Sequence, residues 1–231
     1  MKATRIGIIG GIGSETSCTF CLNLNNEIRK ITNTQPSIVL ENLPISAEAE
    51  RKIINGQVTN EHLQLIKEAI IRLNKINVEL IVIPCNTVHT FIKDLRSTST
   101  CQILSIIEET TKQIASKKVR KVGILASTKT INEKLYATQL NTENIELVLP
   151  KEQEKISKII LRILNNTNNH KDKDFMNEKI RELKKDGAEA VIIGCTDLSK
   201  KLNQEDHQIP LIHALSALQE ATITRITQDP F

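Results

Sequence analysis

Short apolar runs alternate with longer amphipathic segments along the chain. The runs are bounded by polar residues, glycine or proline and are short, which is the pattern of buried strands. Strands that alternate with helices favour parallel sheets covered by helices on both faces, so we predict an α/β fold. The predicted strands are Arg5–Ile9, Ser37–Leu40, Glu79–Pro84, Gln102–Ile106, Lys121–Leu125, Ile145–Leu149, Ala188–Ile193 and Pro210–Ile212. The clearest helical segments are Thr16–Lys30, Asn60–Ile76, Glu152–Leu164 and Asp174–Asp186.

The chain carries an internal repeat. Leu73–Cys85 (LNKINVELIVIPC) matches Leu183–Cys195 (LKKDGAEAVIIGC) without a gap: a leucine, a lysine two positions later, a glutamate, four apolar residues, then Pro or Gly and a cysteine. The segment RIGIIGGIGS, which begins at Arg5, resembles KVGILASTKT, which begins at Lys121, at a similar offset. This repetition predicts two pseudo-symmetric, doubly wound α/β domains with parallel sheets.

The repeat also predicts the domain boundaries and the position of the functional site. We expect a first lobe over residues 1–99, a second over 100–212, and a final segment, 213–231, whose helix packs back onto the first lobe. In open parallel sheets, ligands bind beyond the carboxyl ends of the strands. Two facing halves would therefore bring Cys85 and Cys195 to opposite sides of one cleft between the domains.

Composition and charge exclude several classes of function. Only 2% of the residues are aromatic and the net charge is a mild +4 without a basic stripe, so we expect no nucleic-acid partner. No apolar run has the length of a membrane span, and MKATRIGIIGG predicts a strand rather than a signal peptide. We therefore expect a cytoplasmic protein with no membrane partner, whose five cysteines are reduced thiols.

Both cysteines of the repeat occupy positions that favour reactivity. Cys85 and Cys195 each follow an apolar strand and precede a predicted helix, so backbone N–H groups and the helix dipole should stabilise a thiolate. Asn86 and Thr87 offer donors that can hold a carboxylate. A single buried cysteine is usually a packing residue, but a pair at equivalent positions of a duplicated unit indicates a two-base site.

Three motifs resemble the signatures of the aspartate/glutamate racemase superfamily. They are Gly10–Thr16 (GGIGSET), Pro84–His89 (PCNTVH) and Gly194–Leu198 (GCTDL), and their order and spacing fit that family over nearly the whole chain. The glycine-rich turn and the PCNT context look closer to aspartate racemases than to glutamate racemases. The resemblance implies two α/β domains, no pyridoxal phosphate or other cofactor, no metal, and a homodimer.

The same resemblance implies a mechanism and its residues. One of Cys85 and Cys195 removes the α-proton as a thiolate, and the other delivers a proton to the opposite face as a thiol. This chemistry interconverts L- and D-aspartate, or glutamate. The resemblance assigns the donors that bind the amino-acid substrate to Asn86, Thr87, Thr128 and Thr196, with Gly11 at the floor of the cleft.

The chain departs from the family pattern where the distal carboxylate of aspartate should bind. Aspartate racemases use an arginine after the second strand and a lysine in the second half. Here Glu48 falls near the arginine position and Asn166 near the lysine position, with Arg51 and Arg162 as the cations that would compensate. His213 stands where relatives often carry an acidic residue.

Two other functions stay open. An isomerase or decarboxylase of the same superfamily would act on another small carboxylic acid, and a non-catalytic relative would bind an amino acid without converting it. Three further features are given no catalytic role. Cys18 and Cys21 form a CxxC within a predicted helix and are interpreted as packing residues, and the glycine-rich turn lacks the spacing of a nucleotide-binding motif. His89 is interpreted as a polar contact and not as a partner of the thiolate.

Overall fold

The computed structural model describes residues 4–55, 57 and 60–228 and contains two four-stranded parallel sheets. The strand orders are β2-β1-β3-β4 and β6-β5-β7-β8, so the second sheet repeats the topology of the first. The predicted α/β class with two pseudo-symmetric domains is confirmed. The strands are β1 (Arg5–Gly10), β2 (Ser37–Asn42), β3 (Leu80–Val82), β4 (Gln102–Leu104), β5 (Lys121–Leu125), β6 (Glu146–Val148), β7 (Ala190–Ile193) and β8 (Leu211–His213).

The helices cover both sheets, as an alternating strand and helix pattern requires. Short 3₁₀ turns, rather than α-helices, follow the two cysteines directly, at Thr87–Phe91 and Leu198–Lys200, and a third lies at Gln204–Asp206. The α-helices are α1 (Ser14–Thr32), α2 (Ala47–Ile54), α3 (Asn60–Lys75), α4 (Ile92–Thr98), α5 (Ile106–Ser116), α6 (Thr128–Asn132), α7 (Leu135–Thr142), α8 (Gln153–Leu164), α9 (His170–Lys185) and α10 (Ala214–Thr227).

The pairing register shows that the internal repeat is structural. Ile6 of β1 pairs with Leu80 of β3, and the equivalent Val122 of β5 pairs with Ala190 of β7. The repeat also reproduces a packing contact between a strand glycine and a helix leucine. A Cβ on Gly7 would lie 2.9 Å from Cδ1 of Leu73, and a Cβ on Gly123 would lie 2.9 Å from Cδ1 of Leu183. The repeated leucine is therefore the residue that fills the space above the repeated glycine.

The predicted boundary between the lobes needs a correction. Strand β4 pairs in parallel with β3, with Ile103 opposite Ile81, and so belongs to the first sheet. The strands of the first unit therefore end at Leu104 rather than before Thr100. The apolar run of β4 predicts a strand, but a short edge strand carries no information about which sheet it joins.

The last helix of each half packs against the other half. Helix α10 follows β8 but contacts α1, and α5 follows β4 but contacts α7 of the second unit. The two helices also contact each other. This exchange links the two sheets and fixes the relative position of the loops at their carboxyl ends.

Helix α9 begins earlier than the sequence pattern indicates. The pattern predicts a helix over Asp174–Asp186, but α9 starts four residues earlier, at His170. The Asn169 side chain accepts a hydrogen bond from the backbone N–H of Asp172, and the Asp172 side chain accepts one from the backbone N–H of Asn169. This capping box starts a helix without apolar residues in its first turn.

Candidate active site

Cys85 and Cys195 lie just beyond the carboxyl ends of β3 and β7, the equivalent inner strands of the two sheets. Both are buried, with 8% and 7% of their surface exposed. The backbone N–H groups two and three residues further along the chain lower the pKa of each thiol: those of Thr87 and Val88 for Cys85, and those of Asp197 and Leu198 for Cys195. The two cysteine loops are therefore equivalent in backbone geometry as well as in sequence.

The expectation that these surroundings stabilise a thiolate needs a correction. Burial raises the pKa of Cys85 to about 12, although the N–H groups of Thr87 and Val88 oppose the increase. Burial and the Asp197 carboxylate also raise the pKa of Cys195. Desolvation disfavours the charged form more than the hydrogen bonds favour it, so both cysteines are thiols at neutral pH in this structure.

One small cavity brings the two thiols together. It encloses about 10 Å³, which is room for a single water molecule and not for an amino acid. A substrate must therefore displace side chains that line it. Helices α2 and α8 contact each other, and α2 supplies Glu50 and Ile54 to the lining while α8 supplies Leu164. The lining residues are Ile12, Gly13, Glu50, Ile54, Cys85, Asn86, Thr87, Leu164, Gly194, Cys195, Thr196 and Asp197.

Asn86 presents an amide donor to this cavity. Its Oδ1 accepts a hydrogen bond of 2.6 Å from the hydroxyl of Tyr136, which is itself buried in α7 of the second unit. Its Nδ2 is buried and makes no hydrogen bond among residues 4–55, 57 and 60–228. Tyr136 therefore fixes the amide orientation that leaves Nδ2 available to a ligand. Asn86 was predicted from the motif after Cys85, whereas Tyr136 was not, because its contact with Asn86 joins the first and second halves of the chain.

Two carboxylates in the cavity were missed as site residues. Asp197 accepts a hydrogen bond of 2.7 Å from the Thr16 hydroxyl, and Glu50 accepts one of 2.8 Å from the backbone N–H of Gly13. Burial raises the pKa of Asp197, and the nearby Glu50 carboxylate adds to the increase. Asp197 belongs to the GCTDL motif and could have been predicted from it, but only Cys195 and Thr196 of that motif were predicted as site residues.

The predicted substrate-binding residues fall into two groups. Asn86, Thr87 and Thr196 line the cavity, as the sequence analysis expects. Thr128 does not: its hydroxyl pairs with that of Ser157 at 2.7 Å, at the start of α6.

Gly11 also lies outside the cavity lining. It has a φ of +95°, and a Cβ there would meet the backbone oxygen of Leu43 at 2.4 Å. The residue therefore permits a tight turn, while Ile12 and Gly13 line the cleft in its place.

The predicted anchors for a distal carboxylate lie elsewhere. Arg51 is exposed on α2, and Glu48 is exposed and pairs with Lys52 at 2.9 Å. Arg162 pairs with Asp172, with its Nε 2.9 Å from Oδ2. Asn166 ends the turn after α8 with a φ of +54°. The helix α2 turns Glu50, and neither Glu48 nor Arg51, toward the cavity.

His89 is a positioning residue in the loop after Cys85. Its Nδ1 hydrogen-bonds the carbonyl of Cys85 at 2.8 Å, and its Nε2 accepts from the backbone N–H of Ile106 at 3.3 Å. Burial lowers its pKa to about 4, so the ring is neutral and carries its proton on Nδ1. The prediction of a polar contact describes this arrangement, because the ring binds the backbone of Cys85 and not its sulfur.

His213 and the CxxC pair lie outside the cavity lining. His213 is half-buried at the start of α10, where the equivalent Ser105 caps α5. Cys21 packs against the core from α1, as predicted, whereas Cys18 is exposed.

The family of Asp/Glu/hydantoin racemases matches residues 9–222. The chain belongs to this family. Its match extends through both cysteine loops and both sheets, so the predicted enzyme class, a cofactor-independent amino-acid racemase, is confirmed.

Individual relatives of this racemase agree over almost the full length. The broad specificity amino-acid racemase RacX of Bacillus subtilis is 23% identical over 95% of this chain and 96% of its own length. A protein from Yersinia pestis assigned to the Asp/Glu racemases superposes with a TM-score of 0.84 at 22% identity, over 97% of this chain and 100% of that one. The aspartate racemase of Picrophilus torridus gives 0.79 at 22% identity, over 96% and 94%. At this identity the structures show the shared fold.

Some features of the racemase bear on its partners. No helix in the described part of the chain has the length and hydropathy to cross a membrane. Within residues 4–55, 57 and 60–228, no three His, Cys, Asp or Glu side chains are grouped so as to hold a metal ion. The expected homodimer and cytoplasmic location stay predictions.

Proposed function

We propose that this racemase inverts the α-carbon of an amino acid by proton transfer between Cys85 and Cys195. The observation that carries the proposal is that the two thiols follow equivalent strands, β3 and β7, and line one cavity. Two chemically identical groups on opposite sides of a planar intermediate are what a reversible inversion requires. A non-catalytic amino-acid-binding relative would require no such symmetric pair.

The proton balance of the reaction needs one thiolate and one thiol. The thiolate takes the α-proton as the C–H bond breaks, and the other thiol gives its proton to the opposite face of the carbon. The thiolate and the thiol have then exchanged places, and the reverse reaction begins from that state.

The substrate itself supplies the charge that ionises a thiol. Both cysteines are thiols in this structure because burial and the Asp197 carboxylate raise the pKa of each. An α-ammonium group placed beside Asp197 would neutralise this carboxylate and attract a thiolate, which lowers the pKa of the cysteines. Substrate binding and thiolate formation are therefore coupled.

The intermediate is stabilised by donors to the α-carboxylate. When the α-proton leaves, negative charge moves onto the carboxylate oxygens, so a donor that is already in place lowers the barrier. Asn86 supports this role because its Nδ2 is buried, lines the cavity and makes no hydrogen bond within the described residues, while Tyr136 fixes the amide. Thr196 lies beside Cys195 at the position equivalent to Asn86 and lines the same cavity.

Aspartate or glutamate as substrate rests on the family resemblance alone. Neither Arg51 nor Arg162, the cations expected to hold a distal carboxylate, lines the cavity. Both acidic amino acids therefore belong in the test together with neutral and basic ones.

The test follows deuterium incorporation at the α-carbon. The protein is incubated in heavy water with L- and D-amino acids and no added cofactor, and proton NMR reports exchange. We expect Cys85→Ala and Cys195→Ala each to lower racemisation by about 10³-fold, the order attributed to general acid–base groups. Cys18→Ala, at an exposed cysteine of α1, is the matched control and should leave the rate unchanged.

Two outcomes would contradict the two-cysteine mechanism. Racemisation that survives in either alanine variant would show that another base replaces the thiol. Absence of exchange with every amino acid, while one of them still binds, would favour the non-catalytic alternative. Conversion of a dicarboxylic acid without racemisation would favour the isomerase or decarboxylase.

A further inference from the structure

The cavity of the two cysteines carries only negative side-chain charge. Glu50 and Asp197 are its charged lining residues in the described part of the chain. The nearby cation Lys200 pairs with Glu15 at 2.7 Å outside the lining. An acidic substrate would bring a second carboxylate against these two carboxylates without a cation to compensate, which is costly in a desolvated site.

The two carboxylates belong to different parts of the site. Asp197 lies in the loop of Cys195, two residues after that thiol, whereas Glu50 lies on α2, one turn before Ile54. Asp197 is therefore the carboxylate that adjoins a reacting thiol, and an α-ammonium group beside the reacting carbon would meet it. Glu50 is left to meet a more remote part of the substrate.

Glu50 is fixed in place and has an apolar approach. The backbone N–H of Gly13 holds its Oε1 at 2.8 Å. Ile54, one turn later on α2, and Leu164, at the end of α8, line the cavity beside it. The aliphatic part of a substrate side chain could therefore pack on Ile54 and Leu164, and its end group would then lie beside the Glu50 carboxylate.

A second observation points to a ligand in this cavity. Asn86, a side chain only 2% exposed, lines it, and its buried Nδ2 makes no hydrogen bond within the described residues. An α-carboxylate at Asn86 and an α-ammonium at Asp197 orient the amino acid, and this orientation leaves the side chain to the apolar residues and Glu50.

We propose that Glu50 recognises the substrate side chain and that the preferred substrates are amino acids whose side chain is an aliphatic stem ending in a cation. The inference rests on the racemase function proposed above and names its substrate class. It predicts a higher kcat/KM for lysine, ornithine and arginine than for neutral amino acids of similar shape, and a lower kcat/KM for aspartate and glutamate than for asparagine and glutamine.

The experiment compares pairs of substrates that share a side-chain stem and differ in the terminal group, which is charged in one member and neutral in the other. Initial rates of α-proton exchange give kcat/KM for lysine against norleucine, arginine against citrulline, and aspartate against asparagine. We expect the wild type to prefer lysine to norleucine by about 10- to 100-fold, the range of a hydrogen bond to a charged group. It should turn over asparagine faster than aspartate.

Glu50→Gln is the decisive variant. The amide oxygen of glutamine keeps the hydrogen bond from Gly13, so the fold of the turn is retained. Its kcat/KM for lysine should fall by about 10- to 100-fold, while that for norleucine changes little. Glu48→Gln, which removes an exposed carboxylate of the same helix, is the matched control and should change neither.

The outcomes separate this inference from the proposed function. Cysteine-dependent exchange that favours aspartate over asparagine, or a Glu50→Gln loss that is equal for lysine and norleucine, would overturn the charge selectivity and leave the racemase intact. Lysine binding that depends on Glu50, measured by calorimetry, without exchange of any amino acid would support the selectivity and overturn the racemase. Neither exchange nor lysine binding would overturn both.

Discussion

The two halves of the molecule share a backbone plan and differ in the charge that they bring to the cavity. In the first half, Thr87 follows Cys85 by two residues and its hydroxyl pairs with that of Ser127 at 3.0 Å. In the second half, Asp197 occupies the equivalent position and binds the hydroxyl of Thr16 at 2.7 Å. Each cysteine loop is thus tied to the turn that follows the first strand of the opposite half.

The comparison shows which part of the duplication was retained and which part diverged. Strand order, pairing register and the two N–H groups at each sulfur are the same in both halves. The side chains after the cysteines differ, because the position of the Thr87 hydroxyl in the first half is occupied by the Asp197 carboxylate in the second. The shared part holds two identical acid–base groups, and the divergent part makes their surroundings, and the substrate that fits between them, unequal.

The largest effect should come from removing the charge that distinguishes the halves. Asp197→Asn should lower kcat/KM by about 10³-fold, because the α-ammonium loses a buried ionic partner. Asp197 raises the pKa of both cysteines, so the variant should form thiolate at lower pH. The acid limb of the kcat/KM profile and the onset of Cys85 alkylation, followed by peptide mass spectrometry, should both move to lower pH.

A matched control for this variant is Asp206→Asn, at an exposed carboxylate of the second half that pairs with Lys173. It should alter neither the profile nor the alkylation. An unchanged alkylation profile in Asp197→Asn would show that the carboxylate does not act on the thiols.

A smaller effect should follow from the difference between His89 and Ser199, its equivalent in the second half. Burial lowers the pKa of His89 to about 4, whereas an unfolded histidine has a pKa of about 6.5. Between these values the unfolded chain binds a proton that the folded chain does not, so stability falls as the pH drops through this window. The shift corresponds to about 3 kcal/mol.

Urea unfolding at about pH 7 and about pH 4 measures this contribution. His89→Gln should lose about 3 kcal/mol less than the wild type over this interval, because its amide does not titrate. His170→Gln, at an exposed histidine of α9, is the control and should follow the wild type. Equal losses in all three proteins would remove His89 from the pH dependence.

The smallest effect tests the packing that both halves share. Gly7→Ala and Gly123→Ala would each bring a methyl group to 2.9 Å from a leucine Cδ1. Each should lower the free energy of unfolding by about 1–3 kcal/mol, the usual range for overpacking. Urea unfolding of the double variant Gly7→Ala/Leu73→Ala should show a loss below the sum of the single losses, because the smaller side chain leaves room. A neutral effect at one glycine only would show that the two sites are not equivalent.

Much of the fold was accessible from the sequence because it depends on local patterns. The eight apolar runs all form strands, and Leu73 and Leu183 marked the repeat because each must fill the space above a strand glycine. Edge strand β4 was found but assigned to the wrong lobe, since hydrophobic periodicity gives no pairing partner.

The site was predicted where residues adjoin the cysteines and missed where distant segments meet. Asn86, Thr87 and Thr196 line the cavity, but the contact of Tyr136 with Asn86 depends on how α7 packs across the two units. Glu50 was missed because neighbouring residues of a helix point in different directions. The predicted position, Glu48, is exposed, whereas Glu50, two residues later on the same helix, lines the cavity.

The sequence by itself determined the duplicated α/β plan and the placement of Cys85 and Cys195 at equivalent strand ends, because strand periodicity and strand order follow from residues close in the chain. Only the tertiary structure decided the charge of the cavity and the ionisation of its thiols. Burial raises the pKa of Cys85. The packing of α2 brings Glu50 to Gly13 at the edge of the cavity, and α1 brings Thr16 to Asp197 of the second cysteine loop. Desolvation and long-range contacts are properties of the packed molecule, and no local pattern encodes them.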